Sequence, residues 1–175
     1  MPARLTLLVA LAVVAIAAAV ALGLAGTTRV QEKVETRPSA PNRERRWPTD
    51  PVVSVATRYA LAARNWTAAT YLASWQRQVS LAGGRYRREL SAAMPGSAEL
   101  GQLREEGSSS KASAVRAERD PTVESPQARV IVTLRETTVA NGQTIDGQTV
   151  NQVTLREVDG RWQVTGWTVI PGASR

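Results

Sequence analysis

The stretch Arg129-Val130-Ile131-Val132-Thr133-Leu134-Arg135-Glu136-Thr137-Thr138-Val139 decides the fold. Val130, Val132 and Leu134 point one way from an extended chain, and Arg129, Thr133 and Arg135 point the other. That period of two belongs to a half-buried strand. Asn141-Gly142 follows at once, and Asp159-Gly160 lies further on. Both are two-residue hairpin signals, because a type I′ turn needs φ > 0 at its two central positions and Asn, Asp and Gly tolerate it. They join residues 129–139 to a strand ending near Val158, and that strand to residues 161–170. Residues 111–119, bounded by Asp120-Pro121, supply one strand more. The expectation is a meander of four antiparallel strands.

Upstream the period changes to 3.6. Asp50 can cap a helix and Pro51 suits its first position, with Val52, Val55, Ala56, Tyr59 and Ala63 at helical spacing. Asn65-Trp66-Thr67 reads as a turn. Ala68, Tyr71, Leu72, Trp75 and Val79 form a second apolar stripe, with Arg77 outside it and Gly83-Gly84 ending it. Tyr86, Leu90, Ala93 and Met94 make a third helix before Pro95-Gly96, and Leu100 with Leu103 a short fourth. Three to four helices would therefore cover one face of the sheet, an α+β layer architecture. Residues 50–175 suffice for one core without disulfides.

Composition removes several function classes. The 175 residues include no Cys and no His. Thiol nucleophiles, disulfides, imidazole metal sites and Ser-His-Asp triads are all excluded. The net charge of +7 is divided between the two flanks of an apolar run, a connector and the domain, the last holding 15 basic and 12 acidic residues. A nucleic-acid reader would concentrate that charge on its folded face, so no nucleic acid is expected.

The run from Leu5 to Ala25 carries no charge. As a helix its 21 residues would cover about 31 Å, close to the hydrocarbon thickness of a bilayer. It exceeds the usual h-region of a signal peptide, which favours a retained anchor in residues 1–25 over a cleaved leader. Residues 26–49 are polar, charged and broken by Pro38, Pro41 and Pro48, a disordered tether. Arg29, Lys33 and Arg37 beyond the run would by the positive-inside rule hold the domain in the cytoplasm. A very short N-terminus stays inside, however, and long domains translocate whatever their charge. The expectation is a single-pass protein of the cell membrane, N-terminus inside and domain extracytoplasmic.

Helices first, then an antiparallel sheet closing on Asp159-Gly160-Arg161-Trp162, resembles the nuclear transport factor 2-like cone fold. With one anchor and a tether added, the plan is similar to the bitopic core component of type IV secretion and conjugation systems. It is also similar to the Mce-associated membrane proteins of actinobacteria. Trp75-Gln76-Arg77-Gln78 through Leu81-Ala82-Gly83-Gly84 looks like segments of the actinobacterial conjugation group. The resemblance implies a curved, cone-like sheet and a non-catalytic scaffold subunit with other envelope or secretion subunits as partners. Homo-oligomerisation through the sheet is a further expectation. The alternatives are an accessory role in Mce-type lipid import, or a small-ligand-binding or isomerase-like pocket, since isomerases share this fold.

Trp66, Tyr71, Trp75 and Trp162 are the candidate lining of such a pocket, with core packing as the competing role. An isomerase would also need an inward carboxylate. Glu136, Asp146, Glu157 and Asp159 are read on polar faces or in turns. Arg77, Arg85, Arg87 and Arg88 form a basic face, a solvated surface or a dock for an acidic partner. Strict alternation puts Trp167 outward with Val169, an interface candidate; a bulge at Gly166 would return it inward. No catalytic residue, metal site or cofactor is assigned.

Overall fold

The computed structural model describes residues 50–171. The expected anchor and tether lie outside the described residues, and no helix within them is long and apolar enough to cross a membrane. Helix α1, Pro51–Arg64, begins as its sequence dictates: Val52 N donates to Asp50 Oδ1 at 2.8 Å, with Pro51 in the first turn. Strand β1 (Trp66–Thr67), helices α2 (Tyr71–Leu81), α3 (Gly84–Ala92) and α4 (Ser97–Glu105) follow. Strands β2 (Ser109–Arg119), β3 (Gln127–Ala140), β4 (Gln143–Val158) and β5 (Arg161–Ile170) complete the elements of the described residues.

The sheet is an antiparallel meander in the order β1-β2-β3-β4-β5. Asn141-Gly142 and Asp159-Gly160 make the two hairpin turns, all four residues at positive φ. The pairs Ala140↔Gln143 and Val158↔Arg161 close two-residue loops. Five strands replace the expected four. Residues 66–67, read as a turn, pair with Ser110 and Ser109 because the Asn65 side chain is clamped to the β2 backbone. Its Nδ2 donates to Ala112 O at 2.9 Å, and Ala112 N donates to Oδ1 at 2.8 Å.

Alternation then selects the core. Ala128, Val130, Val132 and Leu134 of β3 meet Val153 and Leu155 of β4 and Val164 of β5, all fully buried. Val52, Val53, Val55, Ala56, Tyr59 and Ala60 of α1 fill the concavity above them. Small Ala112, Ala114 and Ala117 on β2 also pack against this cluster. Two bulges, at Val115 in β2 and Thr165 in β5, interrupt the ladder and bend it. Arg119 of β2 reaches Trp162 of β5, its guanidinium 5.8 Å from the ring centroid, across two intervening strands. The sheet is therefore curled, as the cone-like expectation required.

The helices differ in detail from their sequence pattern. A Thr67–Thr70 turn takes up Ala68 and delays α2 to Tyr71. The buried positions of α2 are Ser74 and Gln78, not the apolar stripe. Ser74 Oγ donates to Ala62 O, so a short hydroxyl sets the approach of α2 to α1. Met94 stays exposed, beyond the end of α3.

Gly83 answers to a contact rather than a helix stop. Its N–H donates to Val164 O at 2.8 Å, and an added Cβ would stand 2.7 Å from Gln163 Cβ. Gly83→Ala is thus expected to cost about 1–3 kcal/mol in chemical denaturation. Gly101→Ala, in the open interior of α4 with nothing near the new methyl, is expected to stabilise by about 0.5–1 kcal/mol.

Candidate functional site

Between the C-terminal half of α1 and the β3–β4 face lies a buried polar cluster. Glu136 continues the inward row of Val130, Val132 and Leu134 by one more step of two, and is 7% exposed. Arg64 Nη1 stands 3.5 Å from its Oε1. Ser110 Oγ donates to Oε1 at 2.9 Å, Thr138 Oγ1 to the same atom at 3.3 Å, and Thr149 Oγ1 to Oε2 at 3.4 Å. The reading of this acid on a polar face is corrected: the alternation that located the core also predicts Glu136 inward. Asp146 and Asp159 are exposed, and Glu157 is half-buried beside Ser125.

Glu136 is enclosed by the chain itself: Oε1 lies beside Arg64, Thr138 and Ser110, whose one hydroxyl proton is shared with Arg64 O at 2.7 Å, and Oε2 lies 3.4 Å from Thr149 Oγ1. An isomerase base needs a lone pair open to substrate, and this carboxylate instead joins α1, β2, β3 and β4. Arg64 Nε, Asn151 Oδ1, Trp167 Nε1 and, two turns earlier on α1, Thr57 Oγ1 are buried without a hydrogen-bond partner among the described residues. Among the described residues no group of three acidic side chains is placed to hold a metal.

The aromatic candidates separate into two groups. Trp66 and Tyr71 meet edge to face at 4.9 Å, Tyr71 and Trp75 lie tilted at 6.3 Å, and Trp75 Nε1 donates to Leu90 O at 2.9 Å. This ladder ties β1, α2 and α3 together. Trp162 sits at the opposite end of the sheet, under Arg119. Trp167 faces inward, because the bulge at Thr165 reverses the alternation: its ring lies 6.2 Å from Tyr59 and 5.2 Å from the Arg64 guanidinium. The outward orientation that made it an interface candidate is not adopted; Val169 beside it is half-buried.

The helical layer carries the domain's positive charge. Residues 50–93 hold six basic and two acidic side chains, whereas residues 94–175 hold nine and ten. Arg77, Arg85, Arg87 and Arg88 are exposed, and Arg85 pairs with Glu89 at 2.6 Å. A groove of about 390 Å³ separates α1 from α2, lined by Arg58, Leu61 and Ala62 on one side and Arg77, Ser80 and Leu81 on the other. Arg58 was not among the residues singled out from sequence. Its signal was its place on the polar side of α1, opposite the buried stripe.

Burial raises the pKa of all three tyrosines. Tyr59 is pushed furthest, by desolvation and then by Tyr86, whose hydroxyl is 2.7 Å away. Desolvation also raises Tyr86, partly offset by the same hydrogen bond, and raises Tyr71 with help from Glu99. Each folded-state pKa exceeds the unfolded value of about 10. Stability from these groups is thus complete below about pH 10 and is lost as pH rises beyond it. Phenolate absorbance should rise together with loss of the circular dichroism signal; a tyrosine ionising near pH 10 in an intact fold would contradict this. Glu136→Ala strands Arg64 and is expected to cost about 1–3 kcal/mol. Denaturation of this variant, Arg64→Ala and the double variant should show non-additive losses.

No protein-family model matches the chain, and no curated protein matches it. Solved structures do. The periplasmic domain of DotI is similar over 74% of this chain and 100% of its own, at 15% identity and TM-score 0.57. A periplasmic fragment of TraM is similar over 70% and 97%, at 11% identity and TM-score 0.54. An IcmL-like type IV secretion system protein from Legionella pneumophila is similar over 71% and 93%, at 11% identity and TM-score 0.55. Helices seated in a curled antiparallel meander thus have the cone fold of the resemblance read from the sequence, in the form found in these periplasmic and secretion-system domains.

Proposed function

We propose that this protein is a non-catalytic, membrane-anchored assembly subunit of a bacterial envelope machine of the conjugative or type IV secretion kind. The observation that carries the reading is the fold likeness, which takes in 100% of the DotI domain and 93% of the IcmL-like type IV secretion protein. In this reading residues 1–25 anchor the chain, residues 26–49 give it reach, and residues 50–175 present a domain outside the cytoplasmic membrane. Its basic helical layer meets other envelope subunits, and its sheet can meet a second copy. The carboxylate best placed for acid–base work is buried between helix and sheet against Arg64, which weighs against an isomerase-like pocket.

Two measurements test the proposal. Protease added outside intact cells or spheroplasts is expected to remove the domain; full protection would overturn the extracytoplasmic placement. A photo-crosslinking residue in place of Arg87 or Arg88, on the exposed face of α3, is expected to capture an envelope subunit or a second copy. If membranes yield neither product from any position on the domain surface, the scaffold reading fails.

A further inference from the structure

We propose that the groove between α1 and α2 is a docking site for an acidic polypeptide segment of a partner protein, one that alternates carboxylate and aliphatic side chains. The proposal deepens the reading of the helical layer as a partner-facing surface and rests on it.

The groove is a built feature. It runs where α1 and α2 are fastened together, Ser74 of α2 bonding to Ala62 O of α1. Asn65, at the end of the groove, is held by its two bonds to the Ala112 backbone. Leu61, Ala62 and Leu81 give it aliphatic lining. Each helix contributes one arginine to the lining, Arg58 from α1 and Arg77 from α2. Arg77 Nε donates to Ala73 O at 3.3 Å, so its side chain is steadied by its own helix while the terminal nitrogens stay available. Neither arginine has an ion-pair partner among the described residues. No acid occurs in α1 or α2 at all.

Charge decides the occupant. Two arginines without an ion-pair partner among the described residues, one from each helix, beside aliphatic lining match carboxylates flanking an aliphatic side chain. A volume of about 390 Å³ admits a few side chains but not a flat membrane surface. The chain's own connector, residues 26–49, has six basic and three acidic residues, the wrong sign for this site. Fixed walls lower the ordering cost of binding, so even a short segment can be held.

The full chain in nanodiscs of zwitterionic lipid tests the idea, with a fluorescent peptide of alternating Glu and Leu as probe. Anisotropy is expected to report binding that weakens as salt is raised and is absent for a Lys–Leu peptide. The double variant Arg58→Gln/Arg77→Gln should lose about tenfold or more in affinity, and Arg104→Gln/Lys111→Gln, at exposed positions outside the basic layer, less than about twofold. Equal losses in both variants would reduce the site to a diffuse positive field and overturn the proposal. So would unchanged binding in the first variant, or binding of vesicles containing phosphatidylglycerol with none of the peptide. A change of oligomeric state on Arg58→Gln/Arg77→Gln would assign the groove to a second copy and likewise overturn it. Crosslinking of an envelope subunit through Arg87 without any peptide effect at Arg58 and Arg77 would remove the groove assignment and leave the scaffold reading standing.

Discussion

The domain depends on one helix lying inside one curled sheet. Helix α1 lowers Val52, Val55, Ala56, Tyr59 and Ala60 onto the concave rows of β3, β4 and β5, and no other helix among the described residues enters the main buried cluster to that extent. A flat sheet could not surround it. Curvature comes from the bulges at Val115 and Thr165 and from the alanines of β2, whose small side chains leave room for the helix. The second bulge also swings Trp167 beneath α1, where it packs on Tyr59. Bending the sheet and completing its filling are thus one event.

Apolar packing ends where α1 ends. At Arg64 the concave face turns polar, and Glu136, Ser110, Thr149 and Asn151 take the positions that valine and leucine hold lower down. Burying a carboxylate is costly unless its lone pairs are met. Here the guanidinium and hydroxyls come from three strands and the helix, so the cluster forms only in the correct register. Such an arrangement adds little net stability over a hydrophobic replacement; its consequence is that α1 cannot slide along the sheet without stranding a charge. The same geometry leaves Arg58 on the outer side of α1, where its charge adds to that of α2 and α3. Fold and surface charge are therefore linked through the rotation of a single helix.

Local patterns made much of this legible. Asn141-Gly142 and Asp159-Gly160 located both long hairpins, because their backbone preference acts without help from distant residues. Asp50-Pro51 marked the start of α1 for the same reason. Glu136 was legible too, had its chemistry not outweighed its place in the row of inward residues. β1 was not, since two residues become a strand only when Asn65 finds the backbone of Ala112, 47 positions away. The buried face of α2 was misjudged because its partner surface, the backbone of α1, rewards a serine hydroxyl over an apolar stripe.

By itself, the sequence determined what depends on near neighbours: the order of elements, the antiparallel meander, the hairpin turns and the exclusion of thiol and imidazole chemistry. Only the tertiary structure decided the direction of Trp167, the use of Gly83 as a contact, the enclosure of Glu136 and the groove between Arg58 and Arg77. Each of those turns on atoms brought together from distant segments, through a bulge or a helix crossing that shifts a side chain from one face to the other. Periodicity names the faces of an element, and packing chooses what each face meets.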